Sequence, residues 1–253
     1  MKRTTLSLPF FMALAILSLA GAFAQEPDYA DLLVQVDRAT DLSDVDCSAV
    51  VQLKRTDPEN GDSDETFAIF RRDAKSTFSI LQLAPESKKG TGYLKTGDDM
   101  YTYDPGSRKF SYTSMKDSFS GSDARNSDME KSTLSEDYKV SGSATGTLGK
   151  FAVWILDLDA VNSGVTYAKQ KLWIDKAVMT VLKAEEYSPS GQLLRTSLFP
   201  CYVKVGTRLI ATRRIFIDAL VAGKRTEMTI TDVSVKSLAD GVFSKSFLEK
   251  ATN

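Results

Sequence analysis

Two hydrophobic periodicities follow one another in the first part of the chain. After Pro27, apolar residues recur at helical spacing from Tyr29 to Val36, which predicts one short amphipathic helix. Beyond it the period changes to two, and apolar residues alternate with mostly polar ones from Cys47 to Leu53. Because successive side chains of a strand point to opposite faces, this alternation predicts a β-strand with one apolar face.

Strand-like runs separated by tight-turn signals continue towards the end of the chain. The Asn-Gly pair at 60–61, the Asp-Pro-Gly-Ser run at 104–107 and the Ser-Pro-Ser-Gly run at 188–191 are typical turn sequences. The pattern predicts roughly ten strands, and no crossover helix separates them. Hairpins in succession indicate a single strongly curved antiparallel sheet or a barrel rather than an α/β fold.

The character of the chain changes between residues 114 and 150, where Ser, Gly, Asp and Lys predominate. Such low hydrophobicity is typical either of a long structured loop that acts as a lid or of a disordered segment. In the first case a short helix is expected near residues 123–131. We therefore expect a single domain over residues 25–253 with a lid or loop region at about 114–150.

The first 24 residues have the parts of a signal peptide. A basic start at Lys2 and Arg3 is followed by an apolar stretch from Leu6 to Leu19 and by an Ala-x-Ala exit that ends at Ala24. We expect cleavage after Ala24, which leaves a soluble, exported protein, and a retained membrane anchor is the alternative. No later segment approaches the roughly 18 consecutive apolar residues that a membrane-spanning helix requires.

The two cysteines, Cys47 and Cys201, lie in apolar, strand-like runs. In an exported chain they could form one disulfide, or each could be a small buried hydrophobe. Neither lies at the predicted cleavage site, so we expect no lipid anchor.

The composition removes most catalytic chemistry. The chain has no histidine, which excludes Ser-His-Asp and Cys-His catalysis and the commonest zinc ligand. Its net charge of −1 argues against nucleic acid as a partner, because phosphate recognition needs a concentrated basic surface. The acidic run at 57–65 lacks the spacing of a calcium loop. We predict no catalytic residue, no cofactor and no metal site.

Large side chains on the predicted strands are the candidates for a ligand-binding surface. The run at 151–156 is apolar on both faces, as in a strand covered on both sides. Aromatic residues at alternate strand positions can equally form ordinary core. The candidates to line an apolar cavity are Phe78, Ile80, Tyr101, Tyr103, Trp154, Leu156 and Trp173.

Three segments, at 88–94, 99–105 and 118–123, resemble in order and spacing the bacterial outer membrane lipoprotein-sorting proteins of the LolA-like group. The Ser-Phe-x-Gly-Ser-Asp motif of that family is matched at Ser118, Phe119, Gly121, Ser122 and Asp123. The acidic position shortly after the motif corresponds to Asp128, and Tyr101 stands where the family has tryptophan. The likeness covers most of the chain after the predicted signal peptide.

The resemblance implies a mainly β protein with a few helices. Its sheet would form an incomplete, strongly bent antiparallel barrel, closed by short helices or a lid over an apolar cavity. The implied function is a non-catalytic periplasmic carrier of lipoprotein acyl chains or other lipids, with membrane-bound donor and acceptor proteins as candidate partners. The alternative is an envelope structural or protein-interaction module that keeps the fold without a lipid cargo.

Within the matched motif, specific roles can be assigned as expectations. Phe119 is the candidate apolar plug of the cavity. Ser122 and Asp123 are candidates to cap the short helix that follows, since their oxygens can accept hydrogen bonds from its free amides.

Overall fold

Thirteen antiparallel strands form one continuous sheet in the computed structural model, which describes residues 27–251. The predicted signal peptide lies outside these residues. The strands are β1 (Asp46–Thr56), β2 (Ser63–Arg72), β3 (Thr77–Ala84), β4 (Gly92–Thr96), β5 (Asp99–Asp104), β6 (Lys109–Tyr112), β7 (Tyr138–Leu148), β8 (Phe151–Ala160), β9 (Lys169–Asp175), β10 (Val181–Tyr187), β11 (Leu193–Val205), β12 (Arg208–Asp218) and β13 (Arg225–Ser234).

The strand order across the sheet is β6-β5-β4-β3-β2-β1-β13-β12-β11-β10-β9-β8-β7. Neighbours in the sheet are neighbours in sequence except where β1 pairs with β13. The two ends, β6 and β7, do not pair with each other, so the sheet stays open. This confirms the predicted incomplete antiparallel barrel.

Three α-helices accompany the sheet in the described part of the chain: α1 (Tyr29–Thr40), α2 (Leu134–Asp137) and α3 (Lys245–Lys250). The Asp28 carboxylate accepts a hydrogen bond from the Ala30 amide at 2.9 Å and thereby caps the N-terminus of α1. The apolar stripe of this helix is buried, which confirms the helix predicted from the sequence. None of the helices between residues 27 and 251 is long and apolar enough to cross a membrane.

The sheet has an inner face and an outer face, and we define the inner face as the one that carries Ala184 and Phe216. The two larger hydrophobic clusters lie on it, and α1 packs against the cluster that contains Ala184. Helix α3 instead covers the outer face of β4, where Leu248 contacts Leu94. Gly92 permits this approach, because a Cβ there would lie 2.8 Å from Leu248 Cδ2.

The region at 114–150 differs from its predicted form. Only its first part crosses the inner face, through 3₁₀ turns at Phe119–Gly121 and Asn126–Met129 and then α2. Tyr138–Leu148 is the edge strand β7, which pairs with β8 along its length with one register shift between Val140 and Gly142. The sequence signal for this strand is weak because its side chains are small, polar and mostly exposed. An edge strand has only one neighbour and does not need an apolar face to be held.

The possible disulfide is also corrected. Cys47 is buried on β1, Cys201 is exposed on β11, and both are free thiols. Strands β13 and β12 separate β1 from β11 in the sheet. At about 4.8 Å for each strand spacing, the two cysteines lie much farther apart than the roughly 7 Å that a bridge can span.

Candidate functional site

A cavity of about 710 Å³ lies against the inner face, between strands β9 to β12 and the segments that cross over them, and single residues of β2, β4 and β6 add to its lining. Its volume is within the range of small-molecule binding sites. The crossing segments are the end of α1, the stretch at 114–134 and the loop at 162–167. The sheet therefore supplies a floor, and the helices and loops supply walls.

One part of the lining is apolar. It results from two patterns: the buried stripe of α1 faces the sheet, and alternate residues of β9 and β10 point inwards. The second half of β11 and the first half of β12 add a further wall. The apolar lining residues include Val36, Leu42, Leu134, Val165, Leu172, Val181, Ala184, Phe199, Leu209, Ile210 and Ala211.

The other part of the lining is charged, and Arg195 is its centre. This side chain is 5 % exposed, and its guanidinium donates to Asp128 at 2.6 and 3.0 Å and to Glu186 at 2.7 and 2.8 Å. The Arg195 guanidinium also lies 4.9 Å from the ring centre of Tyr167 and 4.6 Å from that of Phe216. The cavity was expected to be apolar; part of its lining is, and the rest includes a buried ionic cluster.

The pKa values of the two carboxylates in this cluster are shifted in opposite directions. Burial opposes the ionisation of Asp128, but the charge of Arg195 and the hydrogen bonds from Arg195 and the Arg125 amide together outweigh it, so the pKa of Asp128 is lowered. At Glu186 burial dominates over Arg195, and its pKa is raised. Asp128 is thus the firmly ionised partner of Arg195.

Asp128 has a second role in the crossing segment. Its carboxylate accepts a hydrogen bond from the Arg125 amide at 2.6 Å, at the start of the Asn126–Met129 turn. Ser122 and Asp123 were expected to cap this turn, and that expectation is wrong. Ser122 Oγ donates to the Phe119 carbonyl, at 2.7 Å.

Asp123 instead fastens the matched motif to the sheet. Its carboxylate accepts a hydrogen bond from Thr226 Oγ1 at 2.8 Å, and its amide donates to the same hydroxyl oxygen at 3.0 Å. Ser118 Oγ donates to the Ser122 carbonyl at 2.8 Å, and Gly121 has φ of +71°, a conformation that favours glycine. The motif residues therefore hold the crossing segment in shape.

Phe119 is fully buried and packs between Phe67 and Tyr93, with ring centres 5.0 and 4.8 Å away. Phe78 and Ile80 belong to the same cluster. These three residues form the core beneath the crossing segment, beside the cavity rather than in its lining.

The other predicted lining residues lie elsewhere too. Trp154 and Leu156 pack in the cluster that α1 covers. Tyr103 contacts Leu248 on the outer face, and Tyr101 lies there beneath Lys245 of α3, whose Nζ is 4.0 Å from the ring centre.

Trp173 lies between the inward-facing Leu172 and Ile174 and therefore faces outwards. Hence none of the eight residues predicted as cavity or lid contacts lines this cavity, as far as residues 27–251 show. Alternation identified which residues share a face of the sheet. It could not identify which of those residues would pack in the core and which would border a cavity.

The charged lining was not predicted as a site. Its sequence signal was an arginine or glutamate at an inward strand position, as at Glu186, Arg195 and Arg214. In the described part of the chain, no group of three or more His, Cys, Asp or Glu side chains is placed to hold a metal ion.

Comparison with known proteins places this geometry in a family. A family model described as "-like: Uncharacterized protein" matches residues 74–250. No curated protein matches the chain by sequence.

Among solved structures, a LolA superfamily protein from Nitrosomonas europaea is 22 % identical, with a TM-score of 0.74 over 86 % of this chain and 97 % of that one. A putative outer membrane lipoprotein-sorting protein domain from Vibrio parahaemolyticus is 20 % identical, with a TM-score of 0.77 over 87 % and 97 %. A DUF1329 family protein from Desulfovibrio piger is 20 % identical, with a TM-score of 0.75 over 87 % and 97 %. The chain therefore belongs to the family of the matching model, and it has the LolA-like fold of outer membrane lipoprotein-sorting domains.

Proposed function

We propose that the protein is a non-catalytic carrier that binds lipid, with an acyl chain enclosed by the apolar wall of the cavity. The observation that carries this proposal is the 710 Å³ cavity on the inner face of an open LolA-like sheet. Each methylene moved from water into such a wall contributes about 0.8 kcal/mol. A carrier of this kind needs no covalent chemistry, because transfer depends on differences in affinity between donor, carrier and acceptor.

The proposal includes a location and partners. Export by the signal peptide at 1–24 would place the carrier in the periplasm, where lipoprotein acyl chains need shielding between two membranes. Membrane-bound donor and acceptor proteins would then load and unload it, as in outer membrane lipoprotein sorting. The intact mass of protein from an envelope fraction tests the export step, and a chain that retains residues 1–24 would contradict it.

Binding is tested first on protein purified from a cell envelope fraction, by native mass spectrometry and organic extraction. A stoichiometric phospholipid or lipopeptide is the expected result. Purified protein should also bind a fluorescent fatty acid saturably. A ligand-free protein that ignores this probe would overturn the proposal.

A matched pair of variants on β12 locates the binding surface. Ile210 lines the cavity, whereas Ile217 lies on the outer face and is 36 % exposed. Ile210→Glu should weaken binding of the fluorescent fatty acid at least about tenfold, because it places a charge in the apolar wall. Ile217→Glu introduces the same charge on the same strand and should leave binding unchanged. Equal effects of both variants would argue against this cavity.

The alternative, an envelope structural or protein-interaction module, requires a cavity filled by the protein's own side chains. The open volume beside Ala184 and Ala211 disfavours it. It would gain support if lipid failed to bind while an envelope protein co-purified in stoichiometric amount.

A further inference from the structure

Three arginines contribute to the cavity lining, and two of them are neutralised locally. Arg71 pairs with Asp73 at 2.7 Å, and Arg195 pairs with Asp128 and Glu186. Within residues 27–251, Arg214 forms no ion pair. The cavity therefore contains one guanidinium without a carboxylate of its own.

Arg214 is nevertheless held in place. It lies on the inner face of β12, and one Nη donates to the backbone carbonyl of Asp128 at 2.6 Å. Its Nε is buried and has no hydrogen-bond partner in the described structure. Part of the guanidinium is thus fixed by the crossing segment, and its remaining hydrogen-bonding capacity is unused.

The surroundings of Arg214 disfavour its positive charge. Burial lowers its pKa, the Asp128 carboxylate partly offsets this, and the nearby charges of Arg71 and Arg195 lower it again. An arginine remains protonated in proteins even so. Arg214 is half-buried, and a cation that is partly removed from water without an ion-pair partner is stabilised when an anion binds beside it.

An apolar surface begins beside this cation. Ile210 and Ala211 precede Arg214 on the same strand, and Phe199 lies on the neighbouring strand β11. An amphipathic ligand could therefore place an anionic group at Arg214 and its hydrocarbon chain along this wall. Lys116 and Lys131 also line the cavity, and neither is ion-paired within residues 27–251.

We propose that Arg214 is an anion subsite of the cavity, which binds the negatively charged oxygen group of the cargo. That group is either the carboxylate of a fatty acid or the phosphate of a phospholipid headgroup, both of which accept hydrogen bonds from a guanidinium. This inference rests on the proposed function, because it specifies the chemical class of the lipid.

The experiment compares charged and neutral versions of the same lipid. The probes are a fluorescent fatty acid and its methyl ester, and a fluorescent phosphatidic acid and the corresponding diacylglycerol. The wild-type protein should bind at least one acidic probe about tenfold or more tightly than its neutral counterpart. The pair that shows the preference identifies the source of the anion.

Three variants assign the preference to Arg214. Arg214→Gln should abolish it while leaving affinity for the neutral probes within about twofold, and Arg214→Lys should retain part of it. Arg213→Gln is the matched control, because the exposed Arg213 is the adjacent residue, faces outwards and pairs with Glu227 at 2.7 Å. Circular dichroism and thermal unfolding verify that each variant is folded.

The outcomes separate the two proposals. The anion subsite is overturned if the wild-type protein binds the acidic and neutral probes equally, or if Arg214→Gln keeps the preference. Neither result contradicts the proposed lipid carrier. Loss of neutral-probe binding in folded Arg214→Gln would show that Arg214 only shapes the cavity, which also overturns the anion subsite. Failure of every probe to bind the wild-type protein contradicts the carrier itself.

Discussion

Arg195 on β11 donates two hydrogen bonds to Asp128, at 2.6 and 3.0 Å, and so ties the sheet to the segment that crosses its inner face. Asp128 follows the sequence motif, whereas Arg195 lies 67 residues later on an inward strand position. The pair joins one wall of the cavity to its floor. Its integrity should therefore affect both stability and the shape of the site.

Removing the charge of Asp128 should destabilise the fold. Asp128→Asn leaves Arg195 buried with one carboxylate fewer and weakens the turn that begins at Asn126. We expect a decrease of about 3 kcal/mol in the free energy of unfolding, measured by equilibrium urea denaturation. Asp159→Asn, which breaks an exposed pair with Lys169, should cost less than about 1 kcal/mol. Similar losses in both variants would contradict a special role for the Asp128 pair.

The same carboxylate should make stability pH-dependent. The folded-state pKa of Asp128 lies below its unfolded value of about 4, so its contribution is present at neutral pH. It is lost progressively as the pH falls below about 4 towards the folded pKa. The difference in unfolding free energy between wild type and Asp128→Asn should therefore narrow between pH 6 and about pH 3. A gap that stayed constant with pH would be evidence against the pair.

Phe119 should behave as a core residue. Phe119→Ala removes a fully buried ring from between Phe67 and Tyr93 and should cost about 3 to 5 kcal/mol, measured by urea denaturation. Phe151→Ala removes a ring that is 40 % exposed and should change stability by much less. If Phe119→Ala instead left stability intact and abolished lipid binding, Phe119 would be the cavity plug that the sequence resemblance implied.

The two thiols should differ in reactivity without any reduction step. Cys201 is exposed and should react at once with a thiol reagent in the native protein. Cys47 is buried, and burial raises the pKa of its thiol, so it should react only after denaturation. Counting modified thiols by mass spectrometry before and after unfolding, in the absence of reductant, checks this. Detection of a disulfide within the chain would refute the strand order between β1 and β11.

The amino-acid sequence by itself determined the class of fold. Period-two alternation with turn signals specifies strands and hairpins locally, since a tight turn leaves an antiparallel neighbour as the simplest partner. The apolar residues at helical spacing after Asp28 likewise specify α1. The order and spacing of the segments at 88–94, 99–105 and 118–123 indicated the LolA-like fold. The lack of histidine removed whole classes of catalysis without any structure.

Only the tertiary structure decided where the cavity lies and what lines it. Beyond Tyr138 and Val140, strand β7 has mostly small or polar side chains and is held by its pairing with β8, which local pattern cannot reveal. Whether an inward side chain meets core or open space depends on what crosses above it. Phe78 and Phe119 therefore lie in the hydrophobic core, whereas Arg195 and Arg214 line the cavity. The contacts of Arg195 with Asp128 and Glu186 join three separate segments, and long-range pairing of this kind is fixed by the packed fold rather than by any single stretch of sequence.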